Sequence, residues 1–182
     1  MCNTLNEFDA VVSICKDVFV KKMHDYGVAW RILRLPSITD QIYIKAQRIR
    51  SIEEKGTHKV SEGIYPEFVG IVNYAVMALI QLALPPASME NSDMSGDEVV
   101  SLYNAYVQKA KNLLSDKNHD YDEAWRNMRT SSMTDIILMK ILRIKQIENL
   151  KQQTLVSEGI DANYLDIFNY AVFALIKLNP QK

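Results

Sequence analysis

The chain is poor in the features that staple, anchor or metallate a protein. Two cysteines in 182 residues, Cys2 and Cys15, cannot make a disulfide framework, so a reducing cytoplasm is the expected setting. The formal net charge of −1 gives no basic surface for nucleic acid or an anionic membrane. The start, "MCNTLNEFDA", lacks the charged-then-apolar pattern of a signal peptide. The longest apolar run, "YAVMALIQLALPP", falls short of the roughly 18 residues a membrane span needs. No P-loop, CxxC, Ser–His or Cys–His arrangement is present, and His24 and His119 have no spaced partners for a metal. No stretch of useful length alternates with period two, which excludes a sheet protein.

What the sequence does contain is a repeat. "HDYGVAWR" at 24–31 returns as "HDYDEAWR" at 119–126, and with this shift of 95 about half the positions from 22 to 54 are identical. One inserted residue later, "VSEGI" (60–64) meets "VSEGI" (156–160), and "NYAVMALIQL" (73–82) meets "NYAVFALIKL" (169–178). This is a tandem duplication, with a first repeat at 1–82, a linker at 83–96 and a second repeat at 97–182.

Each repeat reads as three helices, giving an all-α fold in which two three-helix units pack as a pseudo-twofold helical bundle. The first helix runs over about 5–24 and 97–119, with Thr4–Glu7 and Ser95–Glu98 as capping boxes. The second follows Ser37 or Ser132 as N-cap, with Asp40 or Asp135 at the N3 position. The third starts near Pro66 and, in the second repeat, behind Asp161; it is apolar nearly all round, as a buried helix should be.

Charges interrupt the apolar stripes at matching places. The second-helix stripe Ile38, Ile42, Ile49, Ile52 carries Lys45, and its counterpart carries Lys140, each followed one turn on by Arg48 or Arg143. The first helix ends its stripe in Lys22 and Asp25, or Lys117 and Asp120, and the third is broken by Asn73 or Asn169. A charge facing a core must be paired or wet. The sets Lys22, Asp25, Lys45, Arg48, Glu62, Asn73 and Lys117, Asp120, Lys140, Arg143, Glu158, Asn169 are therefore expected to converge in two polar sites. Arg31 and Arg126 add to a cationic surplus that favours a phosphate. The same charges also serve as internal ion pairs holding a bundle in register. Trp30, Trp125 and the two "HDY" tyrosines suit either core packing or stacking on a base.

The run "KKMHDYGVAWRILRLPSITDQIYIKAQRIRSIEE" with "SEGIYPEFVGIVNYAV" resembles the nucleotide modification associated domain 1 family, in a tandem form covering nearly the whole chain. The resemblance implies an association with nucleotide metabolism or nucleobase modification, a small-molecule nucleotide as partner, and no direct nucleic-acid or membrane binding. A homo-oligomer is compatible with it. The family also looks distantly like the all-α nucleoside triphosphate pyrophosphatases of the MazG and dimeric dUTPase type. That likeness implies a Mg²⁺-dependent pyrophosphohydrolase, with Asp120, Glu158 and Asp166 as the metal set. The sequence departs from it in carrying Lys45-x-x-Arg48 where Glu-x-x-Glu is wanted, and Gly70-x-x-Asn73 where an acidic pair is wanted. The alternative is a non-catalytic helical module for structure or protein interaction.

Overall fold

The computed structural model describes residues 3–57, 63–89, 94–150 and 159–179, and among these there are six α-helices and no strand. The first repeat supplies α1 (Asn3–Tyr26), α2 (Leu35–Lys55) and α3 (Tyr65–Ala83). The second supplies α4 (Gly96–Tyr121), α5 (Thr130–Asn149) and α6 (Ile160–Leu178). A single 3-10 turn, Ala29–Ile32 or Ala124–Asn127, separates the first and second helices of each repeat. The Trp-Arg pair of each repeated motif sits on that turn.

The two third helices form the centre. α3 and α6 pack most extensively on each other, and each also packs on the second helix of its own repeat. By length and composition α3 could cross a membrane, but here its apolar surface is largely covered by its neighbours. Phe68, Ile71, Val72, Ala75 and, in α6, Ile167, Ala171 and Val172 are fully buried. Burial of this kind is what allows a helix apolar on every face to be stable in water.

The second helices, α2 and α5, meet across the pseudo-twofold axis, and reciprocal ion pairs record it. Lys145 Nζ lies 2.6 Å from Asp40 Oδ1, and Arg50 Nη1 lies 3.7 Å from Asp135 Oδ1. Asp40 and Asp135 thus reach the other repeat and do not cap their own helices. The reason is where those helices begin. The N-cap positions are Arg34 and Arg129, extended residues without a side-chain cap, so Ser37 and Ser132 fall inside the first turn. Pro36, with its preset φ and missing N–H, suits this early start of α2.

Other helix ends divide between expectation and correction. The Ser95–Glu98 capping box is present in both directions. Thr4 and Glu7 make no such box, because α1 already starts at Asn3 and both side chains turn to Arg126. Asp161 is likewise inside α6, whose N-cap position is Gly159. α2 ends in a left-handed residue, Gly56 at φ +66°, whose N–H bonds Ile52 O at 2.8 Å; a glycine takes that conformation without a Cβ clash.

Candidate functional site

Each repeat has a cleft between its first and third helices. The first, about 400 Å³, is lined by α1, Lys45 of α2, and α3, with Lys22, Gly70, Asn73 and Tyr74 among its walls. The second, about 360 Å³, lies among α4, the Ala124–Asn127 turn and α6.

Beside the first cleft, and not part of its lining, lies a buried carboxylate, Glu67. Lys45 Nζ lies 3.3 Å from Glu67 Oε2, and Arg48 Nη1 bonds Glu67 Oε1. Gly70 makes this possible. A Cβ there would stand 2.6 Å from Lys45 Cε, so the lysine stem runs over the glycine to an acid one turn further toward the helix start. Lys22 is exposed on the cleft wall and has no carboxylate partner among the described residues. Lys22 and Lys45 thus line the cleft, while Glu67, beside it, is shared by Lys45 and Arg48.

The second repeat solves the same problem with the acid moved by one turn. Asp166 replaces Gly70, and Asn163 replaces Glu67. Lys140 Nζ bonds Asp166 Oδ2 at 2.6 Å, and Lys117 Nζ bonds Oδ1 at 2.7 Å. Burial pushes the Asp166 carboxyl up, but hydrogen bonds from Lys117 and Lys140 outweigh it and hold the group below its ordinary value. Arg143 is left exposed, with no ion pair among the described residues, because the carboxylate its counterpart uses is an asparagine here.

The two asparagines tie helices together. Asn73 Nδ2 donates to Cys15 O at 2.9 Å, and Asn169 Nδ2 donates to Ala110 O at 3.2 Å. Tyr103 donates its hydroxyl to Asn73 Oδ1 at 2.9 Å. The counterpart of Tyr103 is Phe8, and Asn169 Oδ1 has no partner.

Several residues expected in these sites lie elsewhere. Asp25 and Asp120 are exposed, each against its neighbouring histidine at 3.3 and 3.2 Å. Both side chains lie on exposed positions of the last turns of α1 and α4, so a charge there stays hydrated and needs no buried partner. Arg31 is 1% exposed and donates to Gln81 Oε1 and to Pro85 O at 2.7 Å, fastening the turn to the end of α3 and the linker. Arg126 is held by Glu7 at 2.6 Å, Glu123 at 2.5 Å and Thr4 at 2.8 Å, fastening its turn to α1 of the other repeat. Glu62 and Glu158 lie outside the described residues.

Of the expected Mg²⁺ set, Glu158 lies outside the described residues, and Asp120 and Asp166 are engaged separately, by His119 and by two lysines. Among the described residues no group of three or more His, Cys, Asp or Glu is placed to hold an ion. Both Asp166 oxygens are taken by ammonium groups, and Asp120 is not part of the cleft lining.

Glu67 and Gln81 are the site residues that motif reasoning missed. The signal for Glu67 was available: it precedes Gly70 and Asn73 by three and six residues, on the same face that carries Asn163, Asp166 and Asn169.

Neither the curated proteins nor the solved structures compared with the chain give a match. The sequence profile of the nucleotide modification associated domain 1 family matches residues 22–82 and again residues 117–178, the two halves of the duplication. The chain belongs to the nucleotide modification associated domain 1 family and carries its domain twice.

Proposed function

We propose that the protein is a nucleotide-binding helical module whose first cleft receives the phosphates. The observation that carries this reading is the charge of the cleft itself: Lys22 and Lys45 line it, and no carboxylate is among its described lining residues. Lys22 is the group free to bind, and a phosphate beside it would complete the neutralisation. With a chain-wide net charge of −1, this surplus is local and not the by-product of a basic protein. A family tied to nucleotide modification supports the same ligand class.

Hydrolysis is a weaker reading. A Mg²⁺-dependent pyrophosphohydrolase of the MazG or dimeric dUTPase type needs a carboxylate cluster for the metal. The acids beside the clefts, Glu67 and Asp166, are bound to lysines and an arginine, so we assign no catalytic step. A purely structural module accounts for Asp166 and Arg126, but it leaves Lys22 on a cleft wall without a reason.

The test is a panel of ribo- and deoxynucleoside triphosphates and inorganic tripolyphosphate, with and without Mg²⁺, scored for thermal stabilisation and pyrophosphate release. A ligand at 100 times its dissociation constant stabilises the native state by about 2.7 kcal/mol. For a chain of this size that raises Tm by roughly 5–10 °C. Lys22→Ala should remove most of the shift. The proposal fails if no triphosphate stabilises the protein, or if Lys22→Ala responds like the parent.

A further inference from the structure

We propose that the cleft of the second repeat is a nucleobase subsite, in which a planar heteroaromatic ring sits among Tyr121, Trp125, Tyr170 and Phe173 beside an indole N–H and an amide oxygen that lack partners. The choice of ring chemistry rests on the nucleotide reading above.

The walls come first. Trp125 stacks on Phe173 at 4.3 Å between ring centroids with 5° between planes, and Tyr170 meets Phe173 edge-on at 6.0 Å. Tyr121 lines the same cleft and is 70% exposed, an aromatic face open to a ligand. Aromatic surfaces take bases of any identity, because every base presents a π face. The cleft's volume of about 360 Å³ lies at the small-ligand end of known pockets.

The polar groups come next. Trp125 Nε1 and Asn169 Oδ1 are both buried without a hydrogen-bond partner, on residues 6% and 5% exposed that line the cleft. The Asn169 amide cannot simply be turned over, because its nitrogen donates to Ala110 O. A donor and an acceptor left open beside aromatic walls suit the edge of a base, which offers both.

The duplication provides an internal control. In the first repeat Tyr103 occupies the oxygen of Asn73, Met77 stands where Phe173 stands, and Trp30 is not part of the cleft lining. The chain leading to Trp125 also differs. Asp122 and Glu123 are both left-handed, at φ +47° and +55°, where the first repeat has Gly27 and Val28. Two consecutive non-glycine residues in this region are strained, and Glu123 is held there by Arg126. The indole N–H is unpartnered in Trp30 as well, but the open amide oxygen and the aromatic lining are features in which the second repeat departs from the first.

The experiment follows the two indole N–H signals in a nitrogen–proton correlation spectrum, assigned with Trp30→Phe. The four common nucleosides and inorganic tripolyphosphate are titrated separately. At least one nucleoside should move the Trp125 signal. Phe8→Tyr places a hydroxyl against Asn169 as Tyr103 does against Asn73; it should raise Tm and weaken nucleoside binding about tenfold, leaving the tripolyphosphate response intact. Trp125→Phe, which keeps a ring but removes the donor, should also weaken it about tenfold. The subsite is overturned if no nucleoside moves the Trp125 signal, or if nucleoside affinity is unchanged in both variants. Tripolyphosphate binding without any nucleoside response would sink this inference alone. Silence to both would sink the nucleotide reading with it.

Discussion

Replacing Asp166 with alanine should be the most damaging single change in the second repeat. Asp166 is buried and receives Lys140 at 2.6 Å and Lys117 at 2.7 Å. The two lysines lose unequally when it goes. The Lys117 side chain is half exposed and can turn to water, so its share is that of a surface pair, about 0–1 kcal/mol. The Lys140 side chain is 11% exposed and has no other acceptor among the described residues, so its ammonium is stranded. Removing one member of a buried pair costs roughly 3–5 kcal/mol, and the lower end applies because the cleft admits some water. About 3 kcal/mol corresponds to a fall in Tm of roughly 6–12 °C for a domain of this length. Guanidinium unfolding followed by far-ultraviolet circular dichroism reads this directly. Combining Asp166→Leu with Lys140→Met removes both charges and should recover most of the loss. A cost below about 1 kcal/mol for Asp166→Ala, or a double variant no better than the single one, refutes the reasoning. The pH dependence follows with its sign. Because the folded carboxyl is held below its ordinary value, the unfolded chain binds more protons in the acid range. The stabilisation is complete above the unfolded pKa of about 4 and is lost as pH falls through the folded value. Asp166→Ala should therefore show a shallower loss of stability below pH ~4 than the parent.

Two further outcomes test the packing around the clefts. Tyr103→Phe leaves Asn73 Oδ1 buried without its donor and should cost about 1–3 kcal/mol in urea unfolding, far more than the loss of an exposed hydroxyl. Cys15 is fully buried and its thiol is pushed up to about 12 by burial, so in a Cys2→Ser background Ellman's reagent at pH ~8 should label nothing until denaturant is added.

The duplication and the helical class were legible because they rest on identity and period, which a sequence displays directly. Six helices and a buried third pair follow from the stripes, and the structure has them. The convergence of Lys45 and Arg48 on one carboxylate followed from the cost of a naked charge, and so did that of Lys117 and Lys140; the identity of the carboxylate did not. Asp25 and Asp120 fall on the period of the stripe, but period does not say where along a helix its neighbours cease to cover it, and both are exposed. Arg31 and Arg126 were counted as ligand cations because their acceptors, Pro85 O, Gln81, Glu7 and Glu123, lie on distant or neighbouring elements that no local pattern links to them. Asp40 and Asp135 were taken for caps for a related reason: their partners are on the other repeat.

The exchange of Glu67 and Gly70 for Asn163 and Asp166 changes which cations each repeat pairs. In both repeats a lysine from the second helix must reach an acid on the third, and a one-turn displacement along a helix is about 5.4 Å, close to the length of a lysine stem. With the acid at the earlier turn, Lys45 extends over Gly70 to Glu67, where Arg48 also binds, and Lys22 has no carboxylate partner among the described residues. With the acid at the later turn, Lys140 and Lys117 both close on Asp166, and Arg143 is the cation without an ion pair among the described residues. The shift moves the unpaired positive charge from the first helix to the second, between opposite ends of the charged set. A pair of identical sites would bind two copies of one group. Two clefts whose linings differ in this way, Gly70 and Met77 against Asp166 and Phe173, can hold chemically different ends of a ligand, or different ligands.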